Sequence, residues 1–348
     1  DIRGTVGNEL KAKKTAGVYF AVTDDSELPT RFDDILVEGC EIYNIQNQGI
    51  VTNNEVDHAD YPGTTAWHRR KFTGLIVRNN IVHHISKNAM IIRLSEGGMV
   101  EHNLCYETAL GITGNTIFSR SSRNTIFQYN EGFSNKSIDY DGSLYDPDFS
   151  SPGTIWQYSY SHDNAHGLLW VCTTDQDRGI EVRYNLSVND RGMIFYLNYP
   201  FEGMRIHHNN IFVGAHRSPV LLQENPNAPH TYTFDNNFII NGSDQILVKL
   251  DETTNSRQTR TIGHNTFAGN IPKDQSGKIF NLSGQIDLQL SPEGTSKRWA
   301  GFGRLSPKIN LPKKTTPPLA TINGVPVGQT EIIDLVQKNR AAWLVRLV

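Results

Sequence analysis

A four-residue pattern recurs along the chain. It consists of an apolar residue, two further residues and an asparagine. This pattern ends at Asn80, Asn103, Asn130, Asn185, Asn209, Asn237 and Asn265, and variant copies end at Cys40 and Ser159. Successive copies are 23 to 29 residues apart, except for one interval of 40 that contains the insertion EVDHADYPGTTAWHRRK. A repeat of this length indicates a solenoid, in which each repeat packs only on its neighbours.

A second apolar run follows each of these anchor positions by about nine residues, as in AMII, GLLW and GMIF. Short runs of β-branched and aromatic residues between Gly, Asn and Asp turns, without helical periodicity, predict stacked short strands. Asparagine tolerates a left-handed corner, and its amide can bond to the copy on the next coil. We therefore expect about nine to ten coils of an all-β parallel β-helix, with the anchors stacked along one corner and Val182 and Ile206 in the bore.

The two ends of the chain differ from the repeats. We assign residues 1–290 to the β-helix and residues 291–348 to an irregular C-terminal wrap, rich in Pro, Gly and Lys, that ends in a capping helix. Thr330 is the candidate N-cap of that short helix. No N-terminal cap is evident, so we expect an upstream segment or a second chain to cover that end of the solenoid.

Composition excludes several classes of function. The 348 residues carry a net charge of −3, which gives no electrostatic reason to expect a nucleic-acid or anionic-membrane partner. No apolar run reaches the roughly 18 residues that a membrane span needs. The three cysteines, Cys40, Cys105 and Cys172, include no CxxC pair and are expected to be plain buried thiols.

The segments NTIFQYNEGFSNKSIDYDG, TIWQYSYSHDNAHGLLWVC and IEVRYNLSVND carry a family resemblance. They resemble coils of the right-handed parallel β-helix proteins of the pectate-lyase superfamily and, more narrowly, those of glycoside hydrolase family 141. QYSYSHDN departs at one position from the QYNYSHDN of many such proteins. The resemblance implies a right-handed β-helix and a secreted or periplasmic protein that acts on a polysaccharide or oligosaccharide.

The segment NKSIDYDGSLYDPDFSSPG contains four aspartates close together. When the coils are aligned by the nine-residue offset, Ile138 falls in the bore column, and Asp139 and Asp141 project together from the outer face of one strand. Asp146 and Asp148 then fall in the loop that follows. Two carboxylates at positions i and i+2 of a strand are about 6.5–7 Å apart at the backbone. This is near the lower end of the separation, roughly 6.5–9.5 Å, in inverting glycosidases, so we predict that Asp139 and Asp141 are catalytic.

Neighbouring coils supply further candidates for the same site. Asp163 and Asp190 lie in turns of the next coils, about 4.8 Å apart per coil, and are alternative acid partners. The predicted substrate-binding residues are polar or aromatic groups on the same face or in those turns, namely Arg93, Asn115, His162, His166, Trp170, Arg191 and Tyr196.

Two alternatives to a glycoside hydrolase stay open at the level of sequence. A polysaccharide lyase needs a base and a cation that neutralises the uronate carboxylate, and Lys136, Arg93 and Arg191 with an Asp-bound Ca²⁺ could provide both, although the excess of acids would repel a polyuronate. A non-catalytic glycan-binding module or adhesin would also suit a polar outer face. We expect no obligatory cofactor; Ca²⁺ held by Asp146 and Asp148, or a merely solvated loop, would also explain the aspartates.

Overall fold

The chain winds into a parallel β-solenoid built from three long parallel sheets, as the sequence predicts. This computed structural model describes residues 2–3, 15–23, 27–55, 61–137, 139–174, 176–199, 201–214, 219–226, 228, 230–241, 247–251, 259–269, 273–274, 285–286, 320–322 and 325–327. Each coil contributes one strand to each sheet, and each strand pairs with its equivalents on the coils above and below.

The first sheet contains the strands that precede the anchors. Its nine strands in the described part of the chain are Leu36–Glu38, Ile76–Arg78, Met99–Glu101, Ile126–Gln128, Ile155–Gln157, Glu181–Arg183, Phe201–His207, His230–Asp235 and Thr259–Gly263.

The second sheet contains the strands that follow the anchors, and the third sheet completes each coil. The second sheet consists of Ile2–Arg3, Glu41–Ile45, Ile81–Ile85, Leu104–Tyr106, Glu131–Phe133, Tyr160–His162, Leu186–Val188, Asn210–Val213, Phe238–Asn241, Thr266–Gly269 and Gln285–Ile286. The third consists of Ala16–Val22, Gln48–Asn54, Met90–Arg93, Ile117–Arg120, Tyr145–Pro147, Leu169–Val171, Met193–Leu197, Val220–Glu224, Leu247–Lys249 and Lys273–Asp274.

A few elements lie outside the three sheets. Phe72–Thr73 pairs with Ser95–Glu96, and Ala320–Ile322 pairs antiparallel with Val325–Val327. The helix Thr65–Arg70 belongs to the insertion, and none of the described residues forms a helix long and apolar enough to cross a membrane. The predicted C-terminal helix lies outside the described residues, as does most of the predicted wrap.

The anchor asparagines form a hydrogen-bonded ladder along one corner, which confirms the sequence prediction. Asn80 Nδ2 donates to Asn103 Oδ1 over 3.0 Å, and the same contact repeats from Asn103 to Asn130. Ser159 replaces one step, because its hydroxyl accepts from the Asn130 backbone N–H and its own N–H donates to Asn185. The ladder continues through Asn209, Asn237 and Asn265. Each buried amide therefore fixes the register of two coils.

The left-handed residue at this corner is the one before each anchor and not the asparagine itself, contrary to our expectation. Tyr129, Tyr158, Tyr184 and His208 all have φ between 52° and 57°. This conformation costs a non-glycine residue about 1–2 kcal/mol. The ladder explains the arrangement, since turning the preceding residue directs the next side chain inward to the amides above and below.

The bore is filled by the inward side chains of all three sheets. Val182 and Ile206, which pair across adjacent coils of the first sheet, are completely buried, as predicted. Phe127 and Trp156 stack with their ring centroids 3.8 Å apart and their planes 5° apart. One contiguous apolar core therefore runs through the stacked coils.

The register of the third sheet differs from the one predicted with a fixed offset. Met90 pairs with Ile117 and not with Ile112, and Ile117 pairs with Tyr145. The connections at residues 107–116 and 134–144 are longer than the connection at residues 86–89. Apolar residues inside these two longer connections therefore resembled strand positions in the sequence.

Asp139 and Asp141 consequently lie in a loop, whereas Asp146 and Asp148 lie on or directly after the strand Tyr145–Pro147. The prediction that Asp139 and Asp141 share a strand is therefore wrong. The two pairs have exchanged their expected places in strand and loop.

We expect Ile206→Ala to lower the free energy of unfolding by about 2–4 kcal/mol, because it removes buried methylene groups and leaves a cavity in the bore. Chemical denaturation measures this change. Leu36→Ala is the matched control on the same sheet, since Leu36 is 54% exposed and should change stability by less than about 0.5 kcal/mol. Equal effects of the two substitutions would contradict the assignment of Ile206 to the bore.

Candidate active site

Two carboxylates project from the outer face of the third sheet. Asp146 pairs with Phe118, whose own outer-face neighbours Ile91 and Val51 form an apolar cluster separate from the bore. Asp148 follows two residues later and forms a parallel bridge with Cys172 of the next coil. Because side chains alternate along a strand, both aspartates lie on the outer side, opposite Tyr145, although neighbouring groups leave Asp146 only 5% and Asp148 only 7% exposed.

A third carboxylate reaches the same place from the loop at residues 139–142. The Asn115 side-chain amide donates to Asp141 Oδ1 and also to Asp146 Oδ2, the latter over 2.8 Å. The Asn115 side-chain oxygen Oδ1 accepts the Ser143 backbone N–H, and Thr113 Oγ1 donates to the Asp141 backbone carbonyl. One buried amide group therefore bridges two carboxylates and holds the loop against the sheet. Asn115 itself is fully buried, so it positions these acids and does not itself meet a substrate.

Two arginines balance the negative charge at the other side of the cluster. Arg120 Nη1 lies 3.5 Å from Asp148 Oδ2. Arg93, one coil away from Arg120, is nearly fully buried and donates to Asn53 Oδ1 over 2.6 Å. Burial and, to a smaller extent, the like charge of Arg120 lower the pKa of Arg93 to about 10, although Asp148 opposes the shift. We call the surface formed by Asp141, Asp146, Asp148 and Arg120 the acidic face.

Cys172 completes this surface on the next coil. Its thiol accepts a hydrogen bond from Trp170 Nε1, and Asn198 Nδ2 lies 3.8 Å from the sulfur. Burial raises the pKa of this thiol well above its ordinary value, and the nearby Asp146 and Asp148 raise it further. A thiol that stays protonated is a poor nucleophile, so Cys172 is not suited to nucleophilic attack.

Aromatic rings border the acidic face. Trp170 and Tyr196 pair across adjacent coils, and their ring centroids are 4.8 Å apart at 89°. Tyr140, directly before Asp141, is 60% exposed. Tyr199 is 43% exposed and packs on Phe149, the residue after Asp148. Trp170 and Tyr196, both predicted to bind substrate, therefore lie beside the carboxylates.

The insertion packs beside the acidic face, along the turns that follow the third sheet. Trp67 is buried and donates from Nε1 to the carbonyl of Ser121, the residue after Arg120. The guanidinium of Arg123 lies 4.8 Å from the centre of the Trp67 ring. Further along, the Tyr61 hydroxyl donates to the Gln176 carbonyl. The insertion thus spans several coils and borders this edge of the face.

His166 supports the loop that carries Asp141. A Cβ atom at Gly142 would lie 2.7 Å from His166 Cδ2, and one at Gly192 would lie 2.4 Å from Nδ1, so the ring is wedged between two glycines. Burial lowers the pKa of His166, although a hydrogen bond with the Asp139 backbone opposes this. His166 is therefore a neutral side chain that supports the loop by packing against it.

Three other predicted residues are oriented away from the acidic cluster. The Asp139 side chain is exposed and accepts the Tyr140 N–H within its own loop. His162 stacks on Phe133 at the second sheet, with ring centroids 4.6 Å apart. Burial opposes protonation of His162, but hydrogen bonds to Asp163 and Glu131 raise its pKa overall. Asp163 is therefore engaged with a histidine of another sheet.

Asp190 and Arg191 lie at the corner between the second and third sheets. Asp190 is buried, and its carboxylate accepts from Ser161, Ser187 and both nitrogens of Asn164. Asp190 is one step of a second side-chain ladder between coils. At the next step, the Asn164 side-chain oxygen accepts the Asn135 backbone N–H. The structure gives Asp190 a place inside the fold, whereas Arg191 is exposed.

Arg120 is the main residue that the sequence analysis missed, and Asp146 and Asp148 were considered only as calcium ligands. A usable signal exists in the sequence. Arg93 and Arg120 each precede the next anchor by ten residues, so counting backward from the anchors places the third sheet better than counting forward. The long connection at residues 107–116 lies between an anchor and the strand that carries Arg120, which is why the forward count failed there.

No group of three or more His, Cys, Asp or Glu side chains suited to hold a metal occurs in the described part of the chain. The three cysteines are free thiols, with Cys105 buried and Cys40 half-buried like Cys172. One oxygen of Asp141 and one oxygen of Asp146 accept hydrogen bonds from Asn115, and Asp148 is paired with Arg120. The acidic face is therefore organised by protein donors.

Comparison with known proteins gives a distant but extended similarity. No family model matches the chain. In an alignment of 324 positions that covers 82% of the chain, the sequence is 24% identical to a lacto-N-biosidase of Bifidobacterium longum subsp. longum, and the chain spans 19% of that relative's length. This similarity to a carbohydrate-active protein agrees with the resemblance noted in the sequence.

Two crystal structures of a GH136 lacto-N-biosidase from Eubacterium ramulus are also similar. The native protein has 22% identity and a TM-score of 0.47 over 58% of this chain and 34% of that one. The selenomethionine derivative has 20% identity and a TM-score of 0.42 over 57% and 35% of the two chains. Both carry the name of family 136, and the narrower resemblance to family 141 finds no counterpart among them.

The structural role of Asp190 can be tested through the pH dependence of the free energy of unfolding. Burial raises the pKa of Asp190 to about 6 from an ordinary 3.8, although the bonds from Ser161 and Ser187 oppose the shift. The folded chain therefore binds this proton more tightly than the unfolded chain. The resulting stabilisation is complete below about pH 4 and is lost as the pH rises through about 6.

We expect Asp190→Asn, which removes this titration, to become more stable relative to the wild type as the pH rises. The difference in free energy of unfolding between the two proteins should grow by up to about 3 kcal/mol between about pH 4 and pH 7. Denaturant titrations at both pH values measure it. Parallel pH profiles would contradict the ladder role, and a hundredfold loss of turnover at unchanged stability would instead support the catalytic role predicted from the sequence.

Proposed function

We propose that the protein is a glycoside hydrolase and that it cleaves an oligosaccharide at the acidic face. The observation that carries the proposal is the convergence of three carboxylates, Asp141, Asp146 and Asp148, on one outer surface bordered by Tyr140, Trp170 and Tyr196. Glycoside hydrolysis needs one carboxylic acid to protonate the leaving oxygen and one carboxylate to attack the anomeric carbon or activate water. The similarity to a lacto-N-biosidase agrees with this chemistry.

We assign the reacting pair to Asp141 and Asp148. Asp141 is half-buried on a loop next to an exposed aromatic ring, where a leaving sugar can reach it. Asp148 is balanced by the guanidinium of Arg120, as suits the group that must act as an anion. Asp146 is bonded to Asn115 together with Asp141 and fixes the position of the loop acid. Asp141 is then the general acid, and Asp148 is the nucleophile or base.

The substrate class follows from the relative. Its name describes a lacto-N-biosidase, so we propose an oligosaccharide that contains a lacto-N-biose unit. The chain spans a minor part of that relative, and the activity proposed for the described face stands on its own residues. Oligosaccharides of this kind do not cross membranes unaided, so we also propose a secreted or periplasmic protein.

A polysaccharide lyase at the acidic face is disfavoured by the state of the two arginines there, Arg93 and Arg120. Neutralising the carboxylate of a uronate would need a cation with spare hydrogen-bonding capacity toward the solvent side. Arg93 is nearly fully buried and bonded to Asn53, and Arg120 is paired with Asp148. Three acids on the same surface would also repel a polyuronate. Hydrolysis fits this distribution of charge better than β-elimination does.

We expect Asp141→Asn and Asp148→Asn each to lower kcat on a chromogenic lacto-N-bioside by about 10²–10⁴, the size of a general acid/base contribution. Glu202→Gln, which alters an exposed ion pair with Arg178, is the control and should keep wild-type activity. Melting temperatures of all variants separate lost chemistry from lost folding.

Three outcomes would redirect the proposal. Loss of activity in Asp139→Asn but not in Asp141→Asn would restore the pair predicted from the sequence. Ultraviolet absorbance of an unsaturated uronate product, suppressed by a chelator, would indicate a lyase that needs Ca²⁺. Saccharide binding without any turnover in the wild type would indicate a glycan-binding module.

A further inference from the structure

Tyr140 is exposed in a way that differs from the other aromatic residues of the solenoid. Its side chain is 60% exposed, although transferring so large an apolar surface from water would normally stabilise the fold. Elsewhere along the coils, aromatic rings cover one another face to face. Phe133 and His162 lie 4.6 Å apart at 16°, and Tyr106 and Phe133 lie 5.0 Å apart at 6°.

The rings around Tyr140 leave its faces uncovered. Trp170, His166 and Tyr196 have their ring centroids 6.2–6.4 Å from that of Tyr140, with planes tilted by 39–52°. No described aromatic ring lies parallel to Tyr140 at stacking distance. The four rings therefore form an open cluster and not a closed stack.

The backbone of Tyr140 forms hydrogen bonds within its own loop. The Tyr140 N–H donates to Asp139 Oδ1 over 2.6 Å, and its carbonyl accepts the Gly142 N–H over 3.0 Å. Thr113 Oγ1 donates to the carbonyl of Asp141, the next residue. A ring on an ordered backbone loses little further entropy when a ligand packs on it.

The neighbour of Tyr140 fixes where such a ligand would lie. Asp141 is bonded to Asn115 and so points to the acidic face, whereas the Tyr140 ring borders that face. A sugar in contact with the ring would have its glycosidic oxygen near the carboxylates. Pyranose rings have an apolar C–H face, and aromatic side chains supply a flat, apolar partner with a polar tip.

We infer that Tyr140, with Trp170 and Tyr196 behind it, is a stacking platform for the pyranose ring next to the cleaved bond. This inference rests on the proposed glycoside hydrolase function and adds a binding residue to it. The platform acts through its ring face, so the phenolic hydroxyl is dispensable and the aromatic ring is required.

The test measures binding and not turnover. In the Asp141→Asn background, isothermal titration calorimetry with the disaccharide lacto-N-biose gives the Kd of the parent. Adding Tyr140→Ala should raise this Kd by about tenfold, the effect of losing one aromatic contact. Adding Tyr140→Phe should leave it within about twofold.

Leu110→Ala in the same background is the matched control. Leu110 is 48% exposed on the corresponding connection one coil earlier. Leu110→Ala therefore removes a similar apolar surface that lies away from the acidic face. Its Kd should equal that of the parent. The melting temperature of the Tyr140→Ala variant should stay within about 2 °C of the parent, as for a surface substitution.

Two failures are distinguishable. If the wild type hydrolyses the chromogenic lacto-N-bioside but Tyr140→Ala binds lacto-N-biose as tightly as the parent, the platform is wrong and the proposed function stands. If neither hydrolysis nor binding of lacto-N-biose is found, both are overturned for this disaccharide. A large loss of melting temperature with Tyr140→Ala would assign the ring to folding instead.

Discussion

The asparagine ladder at the corner between the first and second sheets is the constraint on which the solenoid depends. Each amide accepts from its neighbour on one coil and donates to its neighbour on the next, as from Asn185 to Asn209. A parallel sheet tolerates register slips poorly when one face is buried. By fixing one position in every coil, the ladder keeps the bore residues of all three sheets in line, and it holds Tyr184 and its equivalents in a conformation they would otherwise avoid.

The ladder leaves the length of the other connections free, both after the third sheet, where the insertion lies, and at the corner before it. Connections there range from short turns to the longer segments at residues 107–116 and 134–144. These two segments lie on adjacent coils and carry Asn115 and Asp141. Because the connections vary in length while the coils stack regularly, the longer connection places Asp141 beside Asp146 and Asp148 of the strand side. Neither the loop nor the strand alone would bring the three carboxylates together. The candidate site lies where the fold permits insertions, as is common for sites carried by loops on a scaffold.

The electrostatics of the acidic face follow from that arrangement. Three carboxylates this close would repel one another in the absence of other groups. The buried amide of Asn115 bonds to Asp141 and Asp146, and Arg120 balances Asp148. The protein therefore holds the acids at fixed positions with its own donors. This arrangement suits reaction with a neutral sugar, whose glycosidic oxygen needs a proton and whose anomeric carbon needs an anion.

By itself, the sequence determined the solenoid, the stacked corner and the burial of Val182 and Ile206, because these depend on a repeat whose anchor step is chemically uniform. It also located the segment that carries the site. Only the tertiary structure decided that Asp146 and Asp148 lie on the strand side and Asp141 on the loop, and that Arg120 joins them. Ile112 is as apolar as a true strand residue, so the local pattern cannot distinguish a connection from a strand. The pairing of Ile117 with Met90 and Tyr145 makes that choice, since it is fixed by the coils above and below.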